Sequence, residues 1–264
     1  MHQPSPPEGG VIEASIETSL TYETLLHAQQ LRKIRLKSFC SRHAKVFKSQ
    51  SQKSAEGALA NVVVNAKLEL MYCKAPEIEL DGWEQLLWGL ENTGAATLWR
   101  PIVSNQSLLE AVPPRGKNSV KLLQIGNIPN YYTKILFVRD PFERLVSSYL
   151  QQFADKMPFL EFLTRRLQNS TRPWQPIVTS CHPCRIKYDH IINYKFLDIE
   201  VRHLMHKLGL QTGSWMMKLE NKSLHRTHTW ISQKLLNELP VEQKKELFHA
   251  FRWDFKAFQF SSLL

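Results

Sequence analysis

The sequence predicts an α/β domain, a central parallel sheet flanked by helices, on three observations. A chain of 264 residues with 43% hydrophobic content can bury one sizeable core. Short apolar runs of strand length alternate with helix-length segments. The run Ile135-Leu136-Phe137-Val138 is cut by Arg139-Asp140-Pro141 and followed at once by a helix signal, a strand–loop–helix step.

Taken in order, residues 1–20 carry Pro, Gly and Ser and predict disorder. Residues 22–48 predict a helix packed through Leu25, Leu26, Leu31, Ile34 and Leu36, and the polar stretch 49–60 predicts a linker. Residues 62–72 lead into the first strand, and 83–90 predict an apolar-rich helix. Pro101, Pro113, Pro114 and Gly116 mark 93–120 as loops. After the central strand and its helix, 159–167 predicts a helix, 188–192 a further strand, and 199–208 a helix stopped by Gly209. Helices over 232–237 and 241–258 close the chain. The last carries Leu247, Phe248, Phe251, Phe255 and Phe258 at helical spacing, which reads as core. The chain divides into an N-terminal tail with a basic helical segment, 1–60, and a domain over 61–264.

The junction after Val138 carries the most chemistry. Asp140 suits an N-cap, Pro141 the first helical position, and Glu143 the reach-back of a capping box. Arg139 then stands at the strand's end, beside a helix N-terminus whose free N–H groups favour anions. Ser147 lies about two turns along that helix. A guanidinium and a hydroxyl so placed can hold one phosphate. The plainer reading of such a junction is a capped helix with a solvated Arg.

Arg139-Asp-Pro-Phe-Glu-Arg-Leu-Val-Ser147-Ser-Tyr149 resembles the 3′-phosphate-binding motif of the Golgi carbohydrate sulfotransferases, the group of the chondroitin and dermatan 4-sulfotransferases. Cys181-His-Pro-Cys184-Arg-Ile-Lys-Tyr188-Asp189 resembles that family's Cys-x-Pro-Cys-x-Ile-x-Tyr-Asp segment. Asp254-Phe255-Lys256-Ala257-Phe258 resembles its C-terminal ending. The resemblance implies a sulfotransferase domain with a fold like that of the P-loop kinases. It implies 3′-phosphoadenylyl sulfate as co-substrate with no metal, and a glycan acceptor of chondroitin, dermatan or N-glycan type. It also implies a lumenal Golgi, type II membrane location. By position, the 3′-phosphate falls to Arg139 and Ser147; no catalytic residue is assigned. Arg144 is open between a phosphate contact and a structural role.

The family's second anion site, for the 5′-phosphosulfate, is a loop reading approximately Cys-x-x-Pro-Lys-Val-x-x-Thr-Asn-Trp-Lys. Here the matching frame is Cys73-Lys-Ala-Pro76-Glu77-Ile-Glu79-Leu-Asp81-Gly-Trp83-Glu84. Cys73, Pro76 and Trp83 keep their places. Glu77 stands where the family has its catalytic Lys, Asp81 where it has Thr, and Glu84 where a basic residue follows. Two unit charges about 4 Å apart repel by about 4 kcal/mol at an effective dielectric near 20, so four acids oppose a dianion. Three readings stay open: a catalytically dead member binding glycan or protein, an active enzyme using Lys74 or another Lys, and a true loop elsewhere. A second departure follows the strand at 188–192, where Lys195 and Phe196 replace the family's Glu and Thr. The stretch between Tyr149 and Cys181 is short beside the family's.

A net charge of +10 points to anionic partners. Arg32, Lys33, Arg35, Lys37, Arg42, Lys45, Lys48 and Lys53 follow one another with no acid among them. That run reads either as a solvated helical face or as a polyanion contact. No nucleic-acid motif and no aromatic interleaving accompany it, so nucleic acid is not expected. Four cysteines are too few for a disulfide scaffold. Cys181 and Cys184 suggest a metal half-site, a redox pair, or a disulfide made locally or with Cys40 or Cys73. Sequons at Asn105, Asn169 and Asn221 are compatible with secretion. Residues 1–30 hold no apolar run, so neither a signal peptide nor a spanning helix of about 20 residues is read there.

Overall fold

A computed structural model of the protein describes residues 22–49, 61–75, 78, 80–92, 130–168, 175–210 and 222–260. Four strands form one sheet in the order β1 (Val62–Asn65), β2 (Leu70–Cys73), β3 (Thr133–Val138), β4 (His190–Asn193). β2, β3 and β4 are parallel, as expected, with Cys73 level with Leu136 and Val138 level with Asn193. The apolar stretch predicted to lead into one strand makes two, because Asn65 accepts a hydrogen bond from Leu68 N at 3.0 Å and turns the chain. β1 therefore returns antiparallel along β2 as a short edge. β3 is buried from Ile135 to Val138, the continuous apolar run of a strand covered on both faces.

The described helices are α1 (Tyr22–Arg42), α2 (Ala44–Ser49), α3 (Asp81–Asn92), α4 (Pro141–Gln152), α5 (Phe159–Gln168), α6 (Ile177–Ser180), α7 (Leu197–Lys207), α8 (Lys222–Asn237) and α9 (Val241–Phe258). The helix predicted over 22–48 is broken at His43 into α1 and α2. α7 ends as its glycine predicts. Gly209 adopts φ 68°, Gly209 N donates to His206 O, and Leu210 N donates to Met205 O, a Schellman ending. Trp83, Leu86 and Leu90 of α3 join the sheet's core, with Trp83 edge-on to Phe137 at 5.2 Å between ring centroids. A second core forms where Phe142, Leu145, Val146 and Tyr149 of α4 meet Leu247, Phe251 and Phe255 of α9, so that stripe is core as expected.

Two disulfides settle the cysteines: Cys73–Cys181 and Cys40–Cys184. Cys181 and Cys184 thus take different partners, and neither a zinc half-site nor a local redox pair remains. α1 is held by more than its disulfide. Ile191 N donates to Gln29 Oε1 and Gln29 Nε2 donates to Ile191 O, both at 2.9 Å, so a side-chain amide pairs with edge strand β4 as a further strand would. Beside it, Arg32 grips Glu200 with two bonds of 2.6 and 2.8 Å. No helix among the described residues is long and apolar enough to cross a membrane.

Candidate anion site at the carboxyl ends of the strands

Three parallel strands end side by side, and each delivers a distinct residue as it ends. Lys74 follows β2, Arg139 follows β3, and Tyr194 follows β4. The carboxyl edge of such a sheet is where ligands of open α/β folds bind. Val138 and Asn193 are level, so the next residues on their strands meet: the Arg139 guanidinium lies 4.3 Å from the centroid of the Tyr194 ring. Arg139 and Ser147 are each only 1% exposed. Both sit on the β3–α4 unit as the sequence places them. An anion reaches the guanidinium only by shifting what covers it, Tyr194 included. Sequence spacing gave no hint of Tyr194, which is 55 positions from Arg139.

The helix end itself differs from the expectation. Asp140 caps α4, accepting from Phe142 N at 2.8 Å and Glu143 N at 3.3 Å, while Arg144 N donates to Asp140 O. Pro141 has no N–H. The first-turn donors Phe142 N and Glu143 N are therefore already satisfied by a carboxylate, and this helix end does not offer Arg139's neighbourhood the free amides that the sequence predicts. Burial pushes the Asp140 carboxyl up to about 6, against the lowering effect of those two N–H bonds.

Arg144 is resolved toward structure. Its Nη2 lies 3.4 Å from Gln175 O and 3.5 Å from Asp254 Oδ2, and it is 1% exposed beside a fully buried Asp254. Asp254 also accepts from Ile177 N at 2.8 Å and Val178 N at 3.0 Å, capping α6 from a distant helix. Its pKa is raised by burial, with Arg144 and the two N–H groups pulling the other way. Two other motif residues also brace the fold: Tyr188 Oη donates to Cys181 O at 2.8 Å, and Asp189 accepts from Lys134 N at 2.8 Å.

Of the acidic loop, Glu77, Glu79 and the Asp81 side chain lie outside the described residues, as do the asparagines of all three sequons. Glu84 is described. Its carboxylate takes Lys74 Nζ at 2.7 Å and Tyr72 Oη at 3.3 Å. Lys74, the nearest alternative cation, is 45% exposed and turned onto the first turn of α3. Lys195 is exposed on the turn after β4. Among the described residues no cluster of His, Cys, Asp or Glu is arranged to hold a metal ion.

An α/β sheet with three parallel strands thus brings a buried arginine and an exposed lysine to adjacent strand ends. Residues 61–261 match the model of the Sulfotransferase family, and the chain belongs to that family. It is similar to carbohydrate sulfotransferase 11 of Rattus norvegicus, with 24% identity over 93% of this chain and 79% of the relative. Carbohydrate sulfotransferase 11 of Danio rerio is 26% identical over 77% of this chain and 68% of its own length. Carbohydrate sulfotransferase 9 of Homo sapiens is 21% identical over 89% and 60%. No solved structure matches the chain.

Proposed function

We propose that the protein binds 3′-phosphoadenylyl sulfate at the carboxyl edge of the sheet and transfers its sulfuryl group to a hydroxyl of a glycan. The observation that carries this reading is Arg139, a buried guanidinium at the end of β3 in a member of this family. With Ser147, it would take the donor's 3′-phosphate in the bidentate manner that suits a guanidinium. The acceptor oxygen attacks sulfur in line as the bond from sulfur to the phosphate oxygen breaks. The leaving 3′-phosphoadenosine 5′-phosphate keeps the electron pair and the hydroxyl proton passes to a base. No residue here is assigned as that base. We take the sulfotransferase domain as 61–264, with α1 of the preceding segment bound to it. Two disulfides favour an oxidising compartment, in keeping with a Golgi lumenal role on chondroitin, dermatan or N-glycan acceptors.

The test is binding of 3′-phosphoadenosine 5′-phosphate against adenosine 5′-phosphate, which lacks the 3′-phosphate. The wild type should be thermally stabilised by the first and scarcely by the second. Loss of charge-assisted bonds worth about 1.5–3 kcal/mol in Arg139→Ala should weaken the first by about 10- to 100-fold. Equal response to both nucleotides sinks the reading.

A second reading, a non-catalytic member that binds glycan or protein, is favoured by one specific contact: Lys74 is held by Glu84. Transfer of labelled sulfate to chondroitin, abolished by Arg139→Ala, excludes it. Intact nucleotide binding without transfer, in the wild type and in Glu84→Gln alike, supports it.

A further inference from the structure

The basic run after Arg32 is not one surface. Arg32 is consumed by Glu200, and Lys48 and Lys53 contribute no described side chain. What the fold adds is α7. It lies along α1, so the Tyr22 ring lies tilted against His203 at 4.4 Å and edge-on to His206 at 6.5 Å between ring centroids. Lys33 and Lys37 occupy i and i+4 of α1 and are exposed, as are His206 and Lys207 at the end of α7. Lys33, Lys37 and Lys207 make no ion pair among the described residues. His190, the first residue of β4, lies within the influence of Lys33 and Lys207. The charges of Lys207 and Lys33, with His203, add to burial in pushing its pKa down to about 4. Two ammonium groups from separate helices thus project field into one region. The acids of the two helices are Glu23, Asp198 and the committed Glu200.

The geometry has a direction. α7 starts just after β4 at the carboxyl edge and returns toward the opposite end, where His206 meets Tyr22. α1 runs the other way, from Tyr22 to Arg32 beside Glu200 and on to Cys40, about 27 Å of helix at 1.5 Å per residue. Lys207 stands at the far end beside Tyr22, α1 carries no Lys or Arg from Tyr22 to Leu31, and Lys33 and Lys37 follow on its later half, past Arg32 and toward the end that carries Arg139.

We propose that the outer face of α1 and the end of α7, through Lys33, Lys37 and Lys207 with Tyr22 exposed at its start, form a docking track for an anionic polysaccharide bearing repeated sulfate or carboxylate groups. The choice of polysaccharide among polyanions rests on the glycan-transferase reading, whereas the track itself does not use the donor site. Charge complementarity carries it: a repeating anion matches cations repeated along a helix.

The experiment measures binding of a chondroitin sulfate decasaccharide across a salt series, with a single-stranded oligonucleotide of matched charge as competitor. The track variant is Lys33→Glu/Lys37→Glu/Lys207→Glu. The control, Lys156→Glu/Lys234→Glu/Lys245→Glu, changes net charge equally at positions away from α1 and α7. The track variant should lose at least tenfold in affinity, with a log–log salt slope shallower by about 2 to 3, while the control stays within threefold of wild type. Both variants should keep the wild-type response to 3′-phosphoadenosine 5′-phosphate, so a failure of the track is seen apart from a failure of the donor site. Equal loss in both variants, no binding by the wild type, or preferential binding of the oligonucleotide overturns the proposal.

Discussion

Replacing Arg32 with Met tests how α1 is held to the sheet. The Glu200 side chain is 4% exposed and accepts four bonds: Arg32 Nη1 at 2.6 Å, Arg32 Nη2 at 2.8 Å, Gln29 Nε2 at 3.2 Å and Asn193 N at 3.3 Å. Removing one partner of a buried pair generally costs about 3–5 kcal/mol. Gln29 and Asn193 remain, and Arg32 is itself 22% exposed, so about 3 kcal/mol is expected. Burial already holds the Glu200 carboxyl above its ordinary value of 4.5 despite Arg32, and losing Arg32 lifts it further. A raised carboxyl is penalised only once ionised. The loss should therefore be small below the ordinary carboxylate range and grow as pH rises past it. Arg32→Met/Glu200→Gln removes the stranded charge while keeping an acceptor for Asn193 N–H, and should cost about 1 kcal/mol. Urea unfolding at pH 5 and pH 7.5 reads all of this. A single variant costing under about 1 kcal/mol at pH 7.5, or a double variant as unstable as the single, refutes the reasoning.

Asp140 gives a second pH signature. Its folded pKa near 6 exceeds the ordinary 3.8, so protonation favours the fold, and this contribution is lost as pH rises from about 4 through about 6. Asp140→Asn keeps the cap without the charge and should match or exceed the wild type at pH 7.5, while Asp140→Ala should lose about 1–2 kcal/mol; chemical denaturation of the three side by side decides. Cys73 and Cys181 are fully buried, whereas Cys40 and Cys184 are partly exposed. Under mild reductant, Cys40–Cys184 should be alkylated first, as mass spectrometry will show, and prior labelling of Cys73 counts against the packing described. Cys73→Ala/Cys181→Ala opens a link between residues 108 apart and should cost about 4–5 kcal/mol on the chain-entropy account, read as a lower urea midpoint.

The β3–α4 unit was legible because its signals are local: four apolar residues, an Asp-Pro break and a cap lie within ten positions. Gly209 and the α9 stripe were legible for the same reason. What the sequence withheld is long-range. Arg144 finds Asp254 across 110 positions, and Tyr194 reaches Arg139 only because Asn193 and Val138 share a register. The hairpin inside 62–73 was missed because an apolar run does not reveal a turn held by one Asn side chain. The family-like segments were read correctly as signatures. Tyr188, Asp189, Arg144 and Asp254 nevertheless brace the fold, and among the motif residues the proposed donor contacts are Arg139 and Ser147.

The amide of Gln29 has a consequence for how the protein reaches its native state. It engages a strand edge 162 positions later in the chain. Until that closure happens, β4 offers unpaired backbone groups to any passing strand, the template on which chains aggregate. α1 is synthesised before the strand it must protect and waits, without its partner, until β4 at His190–Asn193 has emerged. Removing α1 to isolate a smaller domain would then yield insoluble protein, whatever the state of the site that remains.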